Sequence, residues 1–164
     1  MHAIGPHRGH GRSLTRNTAA AIYGTVVTAA LIAGDSIETT DTALIVTTVV
    51  VIVPLYWLAH AYAEFLAQGI HEETAPKVVA TLRQEIGIIW SALPLLATIL
   101  VLRTVGVSEN TAVNVALWLA VVELVAVAIV AAHHNRLRGF ALVAAVAVSA
   151  LFGVVIVILK AVMH

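Results

Sequence analysis

Long runs of apolar residues, separated by short polar segments, constrain this chain more than any other feature of its sequence. The runs cover residues 18–33, 43–69, 86–102, 112–132 and 140–162. A helix that crosses the hydrocarbon core of a bilayer needs about 20 apolar residues, because each residue adds about 1.5 Å to its length. The runs are too long for strands, and their apolar residues do not alternate with polar ones. The sequence therefore predicts an all-α bundle of five transmembrane helices.

The chain has too few charged residues to cover a soluble surface. Apolar residues make up 60% of the 164 residues and charged residues 11%, whereas soluble domains average about 25% charged residues. The net charge is zero, which argues against a nucleic-acid partner. Since cysteine is absent, disulfides, thiolate metal sites and thiol catalysis are excluded. The expected partner is the lipid bilayer, and we expect an integral, multi-pass protein of a bacterial plasma membrane.

The distribution of basic residues predicts how the bundle is oriented. With a cytoplasmic N-terminus, the cytoplasmic segments hold Arg8, Arg12, Arg16, Lys77, Arg83, Arg136 and Arg138. The outer segments then hold only Arg103 and Lys160, which is the asymmetry that the positive-inside rule expects. The sequence thus predicts the N-terminus inside and the C-terminus outside, with residues 1–17 as a flexible cytoplasmic tail and residues 18–164 as the bundle.

The first run has an alternative interpretation as part of a secretory signal peptide. Residues 1–33 combine a basic start with an apolar stretch, as signal peptides do. The residues that would precede the cleavage site are Leu31, Ile32 and Ala33. Because Leu31 is large for a small-x-small cleavage pattern, retention of the first helix is favoured. Cleavage would leave four spans in the same orientation.

Small residues predict where the helices pack closely. Gly24 lies in the first run, and Ala145, Ser149 and Gly153 follow one another at four-residue spacing in the last. Helices in lipid associate through close backbone approach, which small residues allow. The pattern indicates close contacts between helices, either within one chain or at the interface of a homodimer.

An ionisable residue in the fourth run is the first candidate for a functional role. Glu123 lies near the centre of that run. A charged side chain at the bilayer centre raises the free energy of membrane insertion by about 2.5–3.5 kcal/mol, so such a residue usually pairs with another polar group or has a functional role. Glu123 is therefore predicted to lie on a transport path, or else to form a purely structural hydrogen bond.

The second run carries a row of polar residues that predicts a polar cluster near the cytoplasmic side. Tyr56, His60, Glu64 and Gln68 are four residues apart and share one side of a helix, and Glu85 lies where the third run begins. Imidazole and carboxylate ligands suit Fe(II), Mn(II) or Zn(II), and a histidine relays protons near neutral pH. The alternative is that these side chains only anchor the helix at the membrane interface.

Short motifs in the second and third runs match the pattern of a known membrane family. Residues 63–67 read Ala-Glu-Phe-Leu-Ala and are followed by Glu72 and Glu73, and residues 91–96 read Ser-Ala-Leu-Pro-Leu-Leu. These segments resemble the Gly-Glu-Tyr-Leu-(Ser/Ala) and Gly-Ala-x-x-Pro-Leu segments of the vacuolar iron transporter-like family. The resemblance implies a five-helix dimer that moves Fe(II) or Mn(II), with Glu64 on the cation path and Glu72 and Glu73 near its cytoplasmic mouth. Together with His60, these acids are the predicted metal ligands.

The sequence departs from that family in its first span and leaves more than one function open. The family's first span carries an Asp-Gly pair, whereas residues 24–28 here contain no acid. One hypothesis is a divalent-cation or proton-coupled transporter, whose only expected metal is the transported ion. The other is a non-transporting scaffold or assembly subunit. An enzyme is not expected, because His60 and Glu64 alone supply neither a nucleophile nor a full ligand set, although a membrane-embedded enzyme stays a third alternative.

Overall fold

Five long helices make up the part of the chain that the structure describes. In the computed structural model, this part comprises residues 9–38, 41–67, 79, 82–83, 85–134 and 138–163. The helices are α1 (Gly9–Glu38), α2 (Thr42–Ala67), α3 (Gly87–Thr104), α4 (Glu109–His134) and α5 (Phe140–Met163). Within these ranges no strand occurs. The all-α prediction is confirmed.

Each of the five helices is long and apolar enough to cross a membrane. The membrane-length segments are Thr18–Glu38, Thr42–Ala67, Gly87–Thr104, Glu109–His134 and Phe140–Val162. They agree with the predicted runs to within a few residues, except that the first continues to Glu38. Helix α1 also begins at Gly9, so it extends into the stretch predicted as a flexible tail. The described part of the chain thus has five membrane-length apolar helices, as expected of a multi-pass membrane protein.

Capping residues and glycines explain where several helices begin and end. Asp41 precedes α2, and its Oδ1 accepts a hydrogen bond from the Ala43 amide at 2.9 Å, as expected of an N-cap residue. Ser108 precedes α4, and its carbonyl oxygen accepts the Ala112 amide at 2.9 Å. Gly106 follows α3 with φ +85°, the left-handed conformation that glycine adopts without strain.

The first helix lies at the centre of the bundle. Helix α1 packs against each of the other four helices. In the 18-residue apolar window of its membrane-length segment 44% of the residues are buried, against 11% in the corresponding window of α5. The buried face of α1 carries Ala20, Gly24, Thr25, Thr28, Ala29 and Ile32. The face of α1 at the centre of the bundle is therefore made largely of small and hydroxyl-bearing side chains.

Two glycines allow the closest approaches between helices. A Cβ added at Gly24 of α1 would lie against Ser91 Oγ and 2.5 Å from the carbonyl oxygen of Ile88, both in α3. A Cβ added at Gly153 of α5 would lie 3.0 Å from the Cα of Val121 in α4. Backbones so close leave no room for a larger residue.

The other two residues predicted to pack lie on the same helix as Gly153. Ser149 is buried and Ala145 is partly buried. Helix α5 packs against α4, where Gly153 lies beside Val121. These contacts lie within one chain.

Candidate functional site

The first candidate site joins the second half of α2 to the start of α3. His60 Nε2 lies 3.6 Å from Glu85 Oε2, and Glu85 is only 4% exposed. The ring of Tyr56 stacks on His60 at 6.1 Å between centroids, and Tyr23 of α1 tilts against it at 5.7 Å. We call these four residues the His60–Glu85 cluster. It places an imidazole and a carboxylate, both titratable, at one end of the bundle.

The segment that carries Glu85 is tied back to α2. Trp57 Nε1 donates a hydrogen bond to the carbonyl oxygen of Leu82 at 3.3 Å. Trp57 lies one turn before His60 along α2, so this bond helps to hold Glu85 beside the imidazole. The structure thus brings together Tyr56, His60 and Glu85, three of the predicted residues.

The other residues of the predicted path lie at further positions of α2 and α4 or outside the described part. Glu64 is partly buried one turn further along α2. Gln68, Glu72 and Glu73 lie outside the described residues. Among those that are described, no group of three or more histidine, aspartate and glutamate side chains is arranged to hold a metal ion. The metal set of His60, Glu64, Glu72 and Glu73 stays a prediction.

Glu123 lies near the middle of α4 and is partly buried. Its Oε2 is shielded from solvent and has no hydrogen-bond partner among the described residues. Thr28 Oγ1, on the neighbouring helix α1, is likewise buried without a partner in this part of the chain. A buried oxygen that lacks a hydrogen bond costs about 1–3 kcal/mol, so the interior of the bundle retains polar atoms at a cost in stability.

A second polar cluster lies at the opposite end of the bundle, where α5 ends and α4 begins. Lys160 of α5 is 4% exposed. Its Nζ donates hydrogen bonds to Asn114 Oδ1 at 2.8 Å and to Asn110 Oδ1 at 3.1 Å. Thr42 Oγ1, at the start of α2, donates to Glu109 Oε2 at 3.0 Å. We call Glu109, Asn110, Asn114 and Lys160 the Lys160 cluster.

Cavities open on two sides of Lys160. One of about 370 Å³ lies between the end of α1 and α5, and its lining includes Asp35 and Glu38. The other, of about 270 Å³, lies between α4 and α5, and its lining includes Asn110 and Asn114. Lys160 borders both cavities. A buried amine with a cavity on either side is positioned to contact a ligand.

Sequence reasoning missed the Lys160 cluster. Lys160 entered the prediction only as an outer basic residue. Two signals were present: a lone cation in the last turns of a strongly apolar helix, and asparagines one turn apart in the first turns of another. Such residues inside membrane segments usually pair with one another, but the spacing along the chain does not reveal which helices are neighbours.

Comparisons with protein-family models, with curated proteins and with solved structures found no match to this chain. The functional argument therefore rests on the arrangement of its own residues.

Proposed function

We propose that this protein is a membrane transporter that moves a cation across the bilayer, with Glu123 as the central carboxylate of the path. The observation that carries the proposal is the buried Oε2 of Glu123, which has no hydrogen-bond partner among the described residues. A carboxyl group in the middle of a membrane helix is expensive and commonly marks an ion pathway or a proton relay. A proton or a cation that passes Glu123 would supply the missing partner.

Polar groups at both ends of the bundle support this proposal. The His60–Glu85 cluster offers a histidine and a carboxylate 3.6 Å apart at one end. At the other end, Asp35 and Glu38 line an open cavity. Glu123 lies between these ends along α4. A cation would thus meet carboxylates at entry, at mid-membrane and at exit.

The proton is the cation that the described residues suit best. A proton relay requires only single titratable groups, such as His60 and Glu123, that pass the proton in turn. A divalent metal requires several ligands around one point, and its predicted set includes Glu72 and Glu73. We therefore propose proton movement, coupled to Fe(II) or Mn(II) as the resemblance to vacuolar iron transporter-like proteins implies. The proposal includes the cytoplasmic N-terminus, the outer C-terminus and the bacterial plasma membrane.

Flux measurements in proteoliposomes test this function. The vesicles contain a pH-sensitive dye, and Mn(II) or Fe(II) is added outside with and without an imposed pH gradient. We expect proton uptake by the wild type that falls to the rate of protein-free vesicles in Glu123→Gln. The matched control is Asp41→Asn, which removes one carboxylate at a helix end and retains the cap, because Asn caps a helix as well as Asp does. Equal rates for wild type, Glu123→Gln and empty vesicles would contradict the proposal.

A scaffold or assembly subunit is the second candidate, favoured by the outward faces of α2 and α5. Within the 18-residue apolar window of each helix, only 17% of the α2 residues and 11% of the α5 residues are buried. These faces offer apolar surface to a partner helix, including one from a second copy in the predicted homodimer. Native purification tests this candidate: recovery with an unrelated membrane protein would support it, whereas recovery of a homo-oligomer alone would argue against it.

A further inference from the structure

The cavity between the end of α1 and α5 combines opposite charges with an apolar wall. Its polar lining consists of Asp35 and Glu38 from α1 and Lys160 from α5. Its apolar lining consists of Ala30, Ala33, Ile37, Ile156 and Leu159. One helix therefore supplies two carboxylates, and the other supplies an amine. A ligand that fills the cavity would contact negative carboxylates, a positive amine and an apolar surface.

Lys160 is the fixed positive pole of this cavity. It is 4% exposed, and the amide oxygens of Asn110 and Asn114 each accept a hydrogen bond from its Nζ. A lysine ammonium has three N–H groups, so these two bonds leave one N–H for a further acceptor. Both of these acceptors are neutral amides, and the carboxylate of Glu109 attracts Lys160 electrostatically without being one of them. An anionic oxygen is therefore the acceptor that suits the third N–H of Lys160 best.

Asp35 and Glu38 form the negative pole. Asp35 Oδ2 is buried, and within the described ranges it has no hydrogen-bond partner. Glu38 lies one turn further along α1 and is exposed. A ligand ammonium in the cavity would face both carboxylates and would offset the cost of leaving Asp35 only partly solvated. Since two carboxylates face one lysine, a ligand that is purely anionic would be repelled.

We propose that this cavity binds the headgroup of a zwitterionic phospholipid that carries a phosphate and a primary ammonium. In this arrangement Lys160 donates to a phosphate oxygen, and the carboxylates of Asp35 and Glu38 accept from the ammonium. The acyl chains follow the apolar wall formed by Ile156 and Leu159. The position of the cavity at the end of a membrane bundle, with Leu159 exposed beside it, makes the surrounding bilayer the source of the ligand.

The number of N–H groups on the lipid headgroup is the variable that tests this site. The probes are phosphatidylethanolamine, its N,N-dimethyl derivative and phosphatidylcholine, all with identical acyl chains. Each lipid is added to the purified full chain in detergent, and native mass spectrometry counts the lipid molecules bound per protein. Because a hydrogen bond to a charged group contributes about 1.5–3 kcal/mol, we expect the wild type to prefer phosphatidylethanolamine over phosphatidylcholine by about tenfold or more. The N,N-dimethyl derivative should bind with intermediate affinity.

Two variants decide whether the cavity is responsible. Asp35→Asn combined with Glu38→Gln keeps the size of both side chains and removes both negative charges of the cavity, so the preference for phosphatidylethanolamine should disappear. Asp41→Asn removes a carboxylate at the same end of the bundle but outside the cavity, and it should retain the preference. A preference that survives the double substitution of Asp35 and Glu38, or that is absent in the wild type, would overturn the proposal.

Two further probes identify the charge and the source of the ligand. Phosphatidylglycerol has the phosphate but no ammonium, and it should bind more weakly than phosphatidylethanolamine; tighter binding would overturn the two-pole assignment. Free O-phosphoethanolamine has the headgroup without acyl chains, and competition as strong as that of the lipid would overturn the bilayer as the source. Because these lipid-binding measurements do not depend on transport, their outcome is independent of whether the proposed transport function is correct.

Discussion

Helices α1 and α5 differ in a way that reverses the usual relation between apolar sequence and burial. Helix α5 is the most apolar of the five, and 11% of the residues in its 18-residue apolar window are buried, whereas α1 is the least apolar of the five and 44% of the residues in its window are buried. In water, the most apolar element would form the core. In a bilayer, lipid tails solvate apolar side chains as well as the protein interior does, so apolar character alone does not bury a helix. The core instead forms where small and polar residues allow helices to approach one another.

Matched isoleucines give the largest expected difference between the two helices. Ile32 of α1 is fully buried, whereas Ile158 of α5 is more than half exposed. Ile32→Ala leaves a cavity among packed side chains and should lower the free energy of unfolding by about 3 kcal/mol. Ile158→Ala removes atoms that face lipid and should change it by less than about 0.5 kcal/mol. Unfolding in detergent, followed by tryptophan fluorescence, measures the free energy of unfolding of both variants. Equal losses would contradict the difference in burial between α1 and α5.

Two glycines of α1 give a second matched pair, one in close contact with α3 and one with nothing near it. An added Cβ at Gly24 would meet the backbone of Ile88, whereas one at Gly34 has nothing within 4 Å. Gly24→Ala should therefore force α1 and α3 apart and destabilise the protein by about 2 kcal/mol. Gly34→Ala should stabilise it by up to about 1 kcal/mol, because alanine favours the helix. The same unfolding assay measures both variants, and a neutral Gly24→Ala would mean that α1 and α3 are not in close contact.

The smallest expected effect concerns the hydroxyl of Thr28. Its Oγ1 is buried and has no hydrogen-bond partner in the described part of the protein. Thr28→Val replaces the hydroxyl with a methyl group of similar size, so it should stabilise the protein by about 0.5–1 kcal/mol. Thr25→Val is the control, because Thr25 Oγ1 donates to the carbonyl oxygen of Ala21 at 3.0 Å and that bond would be lost. Destabilisation of Thr28→Val beyond that of Thr25→Val would indicate that Thr28 has a partner.

The number and positions of the helices follow from the sequence, because the length of an apolar run is a local property. The end of α1 was less predictable. The acidic residue Asp35 and Ser36 mark the end of the apolar run, yet the helix continues to Glu38. Ser36 is accommodated because its Oγ donates to the carbonyl oxygen of Ala33 at 2.9 Å. A local hydrogen bond of this kind satisfies a polar side chain inside a helix without a visible change in the pattern.

The candidate site was predictable where its residues share one helix or where, as for Glu85, they begin the next run at the same end of the bundle. Tyr56 and His60 are one turn apart, so their spacing places them together. Contacts between helices are not encoded in such spacing. Lys160 meets Asn114 across 46 positions of the chain, and this pairing depends on which helices are neighbours. The contact of Tyr23 with His60 was missed for the same reason.

The central claim is that Glu123 lies on a route by which cations from water reach the middle of the bundle. Because the chain has no native cysteine, Glu123→Cys and Val122→Cys each introduce a single thiol at the same depth of α4, and Val122 faces outward. The measurement is the rate at which a small, water-soluble, cationic methanethiosulfonate reagent labels each thiol in intact membranes. The reagent reacts with the thiolate, and a thiol that faces lipid stays protonated, so only a thiol in contact with water is labelled quickly. We expect rapid labelling at position 123 and little at position 122. Labelling at position 123 that is no faster than at position 122 would contradict it.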